Sequence, residues 1–164
     1  CTDSKCLDEQ ASLEGALSSY FSALSGGDLC HDVGYTESGM TGSIFQTVMM
    51  NEAIGYSRRI PRGIEVNEDT LATDVIHNVG PDGHYLYEDH TMRHFKTEFW
   101  YPTLCDRRNY EEWEAAGAKP MRQRVIDRTH AILGSHTPSA VRPETVEAIR
   151  TVMDAAEERV RNNL

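Results

Sequence analysis

At 164 residues, 39% of them hydrophobic, the chain has the length of one domain and enough apolar material for a core. Its formal net charge of -10, from 26 acidic and 16 basic residues, opposes phosphate backbones, and basic residues cluster only at Arg58-Arg59 and Arg107-Arg108, so nucleic acid is not expected as a partner. No apolar run approaches the roughly 20 residues of a membrane span and none resembles a leader peptide, so a soluble, cytoplasmic protein is expected.

With Cys1 rather than Met at its start, the sequence is expected to begin inside a longer chain or after a processed end. Thr2 to Lys5 is polar, with Asp3 and Lys5 just ahead of a helix. From Asp8 the spacing of Leu13, Leu17, Tyr20, Phe21 and Leu24 predicts that helix, stopped by Gly26-Gly27. The stretch LCHDVGYTESGMTGSIF from Leu29 then reads as a short strand, a polar loop carrying His31, Asp32, Tyr35 and Glu37, and the start of another helix. At the carboxyl end of a barrel strand such a set of ionisable groups is a natural site; a polar loop that only turns the chain is the competing reading. Phe45, Val48, Met49, Ala53, Tyr56 and Ile60 form the next apolar stripe, ended by Pro61, with Met49-Met50 read as flexible core filling.

Asn67, followed by Glu68 and Asp69, predicts a capped helix through Leu71, Val75 and Val79, and Gly80-Pro81-Asp82-Gly83 a turn. No convincing strand follows Ile60. His90 and His94 are four apart and share one helix face, with His84 nearby. That spacing suits zinc when a third ligand is present. The acid that a metalloprotease helix carries beside its first histidine is missing, however, so no metal is expected there, and the imidazoles are expected to hydrogen-bond among Tyr85, Tyr87, Phe95, Phe99, Trp100 and Tyr101. The same aromatics suit a cage for a quaternary ammonium group, or a core or subunit interface. Asn109-Tyr-Glu-Glu opens a helix ending at Gly117, and Pro120 opens another through Val125, Thr129 and Leu133 to Gly134. After a turn from Ser135 to Pro138, Val146, Ile149, Met153, Ala156 and Val160 mark a narrow seam on a charged helix, as on an arm packed against its own barrel or a second subunit. The four cysteines lack a C-x-x-C pair and are expected as reduced thiols.

Five segments together resemble the carboxyl-terminal part of the trimethylamine methyltransferase family: TDSKCLDEQ from Thr2, LCHDVGYTESGMTGS from Leu29, RGIEVNEDTLATDVI from Arg62, GPDGHYLYEDHTMRHF from Gly80 and LCDRRNYEEWEAAGAK from Leu104. The resemblance covers nearly the whole chain, in order. It implies an α/β fold, the carboxyl-terminal part of a TIM (β/α)8 barrel plus a helical tail, predominantly helical here because a complete barrel needs about 250 residues. Residues 1–60 would then hold the last βα units and 61–164 the helical extension.

The resemblance also implies transfer of a methyl group from trimethylamine or a related quaternary amine, such as glycine betaine, to cobalt(I) of a corrinoid on a partner protein, with no covalently bound cofactor in this chain. Under it His31 and Glu37 are the candidate catalytic residues, and Tyr35, Asp32, Asp3 and Lys5 the candidate substrate-binding residues. An open partial barrel exposes strand edges and helix faces, so self-association is expected and activity of these residues alone is not. One branch of the family carries pyrrolysine; none occurs here, and either an amber codon upstream of Cys1 or a relative without that residue accounts for it. The competing accounts are a non-catalytic helical oligomerisation or interaction domain and a zinc hydrolase using His84, His90 and His94.

Overall fold

The computed structural model describes residues 1–137 and 140–162. Helix α1 (Glu9–Leu24) starts where the Asp8 carboxylate accepts the Ala11 amide at 2.9 Å and the Ser4 hydroxyl at 2.7 Å. The first of these bonds, with help from the second, holds the Asp8 carboxyl below its ordinary value of 3.8. A two-residue hairpin follows, β1 (Tyr35–Thr36) antiparallel to β2 (Thr41–Gly42) around a single 3₁₀ turn (Glu37–Gly39). Helix α2 (Ile44–Arg59) is capped by Ser43, whose hydroxyl oxygen accepts the Gln46 amide. Short helices α3 (Glu68–Leu71), α4 (Thr73–Val79), α5 (Asp89–Glu98) and α6 (Tyr110–Ala115) lead to α7 (Met121–Ser135) and α8 (Pro143–Asn162).

The chain divides into two units, Cys1–Ala131 and Ile132–Leu164. In the first, the core is Ala11 of α1, Met49 of α2, Leu104 from the segment between α5 and α6, and Val125 of α7, with Leu7, Phe45, Val48 and Met121 packed against it. The helices α1 and α2 meet through small residues. Gly15 lies so close to α2 that a Cβ there would run into the Met50 sulfur, and the Gln46 side-chain amide donates to the Ala11 carbonyl at 3.2 Å. In the second unit α8 begins at Pro143, as its sequence predicts, and none of its described residues is buried. The turn expected to end at Pro138 lies partly outside the described residues.

The predominantly helical character expected of this chain is observed. Several local expectations are corrected. Leu29 to Val33 is not a strand: Leu29 and Cys30 are exposed, and positive φ at Asp32 (61°) and Gly34 (89°) breaks the extended path, so pairing starts only at Tyr35. The helix expected through Leu71 to Val79 is cut in two at Ala72, which is left-handed at φ 50°. On α1 the helix is as expected but the buried face is not. Ala11 and Gly15 face the core, whereas Leu13, Leu17, Phe21 and Leu24 remain exposed, because close approach of α2 selects the small residues. The aromatics after Gly83 do not form one zone: Trp100 packs on Tyr56 at 4.3 Å, while Tyr87, Phe99 and Tyr101 are exposed. All four cysteines are free. No helix among the described residues is long and apolar enough to cross a membrane.

Candidate functional site

The loop from His31 to Ser43 owes its shape to backbone that most side chains avoid. Asp32, Gly34, Glu37, Ser38 and Gly39 all have positive φ. Aspartate tolerates this conformation, but glutamate and serine adopt it only when surrounding bonds enforce it. At Gly34 the requirement is double, since a Cβ would also collide with the Thr47 hydroxyl.

The enforcing bonds come largely from the chain's first residues. Thr2 N–H donates to the Tyr35 carbonyl at 3.1 Å, Ser38 N–H to the Thr2 carbonyl at 3.1 Å and Glu37 N–H to the Ser4 carbonyl at 2.9 Å. Side chains reinforce this pairing. The Ser38 hydroxyl donates to Asp3 Oδ1 at 2.7 Å and the Thr41 hydroxyl to Glu37 Oε2 at 2.7 Å. Lys5 Nζ turns back onto the Asp3 carbonyl at 2.8 Å. Glu14 anchors the same segment to α1, accepting the Thr2 hydroxyl at 2.6 Å and the Asp3 amide at 2.8 Å through Oε2. The Thr2 bond, then those from Gln10 and Asp3, hold the Glu14 carboxyl below its ordinary 4.5.

The loop's other side faces a cavity of about 280 Å³. His31, Asp32 and Tyr35 line it, together with serines of α1 and with Gln46 and Met50 of α2. His31 Nδ1 lies 2.8 Å from Asp32 Oδ2, and both side chains are well exposed. The Tyr35 ring is partly exposed beside them. Gln46 is 1% exposed, and its Oε1 has no hydrogen-bond partner. Chemically the cavity wall presents a carboxylate, an imidazole and an aromatic face, a set that favours a cation over an anion.

Of the six candidate residues, then, His31, Asp32 and Tyr35 share one cavity. Glu37, Asp3 and Lys5 are not among its lining residues: Asp3 ties the amino-terminal segment to Ser38, the Glu37 carboxylate bonds Thr41 within the hairpin, and Lys5 bonds only the Asp3 carbonyl of its own segment. Sequence reasoning missed Glu14 and Glu52. Glu52 is 3% exposed, and its carboxylate accepts the Thr103 amide and hydroxyl and the Leu104 and Cys105 amides. A usable signal existed: Glu52 is three residues after Met49 and four after Val48, inside the apolar stripe of α2.

Comparison with known proteins decides the family. A model of the trimethylamine methyltransferase family matches residues 1–160. The chain belongs to that family. It is 36% identical over 156 residues to a trimethylamine methyltransferase of Desulfitobacterium hafniense, covering 95% of this chain and 31% of that protein. Over 143 residues it is also 36% identical to a glycine betaine methyltransferase from another strain of the same species, covering 87% of this chain and 30% of that one. A trimethylamine methyltransferase of Methanosarcina acetivorans is 30% identical over 162 residues, 98% of this chain and 32% of that protein. The chain thus spans about a third of the length of the curated relatives it matches. The match to this methyltransferase family includes the whole strained loop and the cavity beside it.

Proposed function

We propose that this chain serves a methyltransferase that takes a methyl group from trimethylamine or a related quaternary amine, such as glycine betaine, and delivers it to cobalt(I) of a corrinoid carried by a second protein. The observation that carries this reading, within the family, is the strained loop that sets His31, Asp32 and Tyr35 on one cavity. Backbone outliers of this kind persist only where surrounding bonds enforce them, and they cluster at functional sites.

The reaction is a displacement at carbon. The donor reacts as a cation, either a quaternary ammonium or trimethylamine carrying a proton on nitrogen; its methyl C–N bond breaks, the neutral amine leaves with that bond's electron pair, and the cobalt(I) pair forms the new Co–C bond. Such a step is served by positioning and electrostatics more than by proton transfer. Asp32 supplies a negative charge to a quaternary ammonium, which has no N–H to donate, and the Tyr35 ring supplies a second contact for the cation. The role we assign to His31, which is hydrogen-bonded to Asp32, is contact with the leaving amine or the corrinoid. Glu37, through Thr41, and Asp3, through Ser38, maintain the loop. The chain spans about a third of its relatives, and these residues alone are proposed to be inactive.

The test is spectroscopic. The complete gene product is incubated with reduced cobalamin or the corrinoid protein, and with trimethylamine or glycine betaine in turn. Conversion of the cobalt(I) spectrum to that of methylcobalamin with one of these amines is expected. An unchanged spectrum with every methylated amine overturns the proposal.

A further inference from the structure

A second cluster lies away from the loop, where α3 meets α5. His90 and His94 are one turn apart on α5, and their rings stand on one face with centroids 4.4 Å apart. Both Nε2 atoms are aimed at the same residue of α3. His94 Nε2 is 2.9 Å from Asp69 Oδ2, and His90 Nε2 is 2.7 Å from the Asp69 backbone oxygen. One ligand atom from each of Asp69, His90 and His94 lies within 4.8 Å of the other two. Zinc bonds of about 2.0–2.2 Å set the ligand atoms of a tetrahedron roughly 3.4 Å apart, so small side-chain rotations suffice to converge these three.

The surroundings prepare this set. Arg93 NH2 holds Asp69 Oδ1 at 3.1 Å, fixing the carboxylate by the oxygen that does not face His94. Outer partners orient metal-binding carboxylates in this way. Helix α3 is itself pinned at its start: the Asn67 side chain accepts the Thr70 amide, and the Thr70 hydroxyl oxygen accepts the Asn67 amide, each at 2.9 Å. The His94 side chain is only 25% exposed, whereas Asp69 opens to solvent, leaving a side for a fourth ligand. His84, near in sequence, is engaged elsewhere, edge-on to Tyr87 at 5.0 Å.

We propose that Asp69, His90 and His94 form a binding site for a divalent transition-metal ion of the zinc class, which clips α3 to α5 across the intervening chain. Two imidazole nitrogens and one carboxylate oxygen suit zinc or cobalt(II), whereas calcium and magnesium require a shell of oxygens. On binding, each Nε2 gives up the proton it directs at Asp69, to Nδ1 of the same ring or, from a protonated ring, to solvent; the two contacts give way to metal bonds from both Nε2 atoms and from Oδ2, and water completes the shell.

The test is titration of the full chain, freed of metal by chelator, with cobalt(II) and then zinc, read by visible absorption and calorimetry. One equivalent is expected to bind at micromolar concentration or below, with tetrahedral cobalt(II) bands that zinc abolishes. His90→Gln and His94→Gln are each expected to weaken binding roughly tenfold or more, and Asp69→Asn to do likewise. His84→Gln is expected to leave it unchanged, and far-UV circular dichroism to show every variant folded like the parent. The proposal is overturned by the absence of saturable binding up to about 100 µM metal. It is equally overturned by binding that survives both the His90 and His94 substitutions.

Discussion

The carboxylate of Glu52 accepts both the amide and the hydroxyl of Thr103, at 3.1 and 2.8 Å. Its other oxygen accepts the Leu104 and Cys105 amides at 2.8 and 2.9 Å, so one buried side chain of α2 satisfies a whole turn of otherwise unpaired backbone. Leu104 is part of the core, and this turn is what carries it there. Glutamine at position 52 keeps the shape but presents an NH2 group to two of the four donors. Glu52→Gln is therefore expected to destabilise the chain by about 2–4 kcal/mol, read as a lower urea midpoint with an unchanged slope.

The same residue sets an acid limit. Burial pushes the Glu52 carboxyl up, but the four hydrogen bonds outweigh it and hold the group below its ordinary 4.5. A carboxylate depressed on folding contributes stability that is fully present above the unfolded value and is lost as pH falls through the folded one. Stability is thus expected to decline as pH drops below 4.5, and Glu52→Gln to flatten that part of the profile. Urea midpoints measured between pH 7 and pH 3 for both proteins check this. Parallel profiles would assign the acid sensitivity to other carboxylates.

Caps were the most legible feature of this chain, because a cap is local chemistry. Asn67 and Asn109 accept the amides three residues on, as their sequence contexts predict. The face a helix buries was less legible, because it depends on what packs there. On α1 the bulky periodic residues draw attention to one side, while the neighbour seats itself on Ala11 and Gly15. The loop shows the same division. Proximity of His31, Asp32 and Tyr35 follows from their spacing, but nothing local announces that Glu37 and Ser38 adopt positive φ, since that is imposed by Thr2 and Ser4 more than 30 residues away. The cavity's floor, Gln46 and Met50, is likewise a product of tertiary packing.

Gly55 in α2 tests packing against propensity. A Cβ at this position would run into the Trp100 ring, which is already packed on Tyr56. Alanine gains about 1 kcal/mol of helix propensity over glycine, and displacing a packed aromatic ring costs about 1–3 kcal/mol. Gly55→Ala is expected to be net destabilising, by about 1 kcal/mol, with Trp100 fluorescence shifted to the red as the ring moves outward. A more stable variant with unshifted emission would show that the ring yields without loss.

Asp32 separates charge complementarity from loop maintenance. Asp32 lines the cavity with its Oδ2 paired to His31 Nδ1, and asparagine keeps both its size and its tolerance of a φ of 61°. Asp32→Asn in the complete gene product therefore removes a charge without reshaping the loop. A contact made equally with bound amine and with the transition state raises KM alone. The expected result is KM for the methylated amine raised roughly tenfold, the scale of about 1.4 kcal/mol, with kcat changed less than threefold. Glu37→Gln provides the contrast, since Glu37 Oε2 accepts the Thr41 hydroxyl within the loop rather than lining the cavity. Its effect is expected on loop order, read as faster amide exchange at Ser38 and Tyr35, with KM changed less than in Asp32→Asn. Equal KM effects from the two substitutions would place the cation between them and shift the binding position toward the hairpin turn.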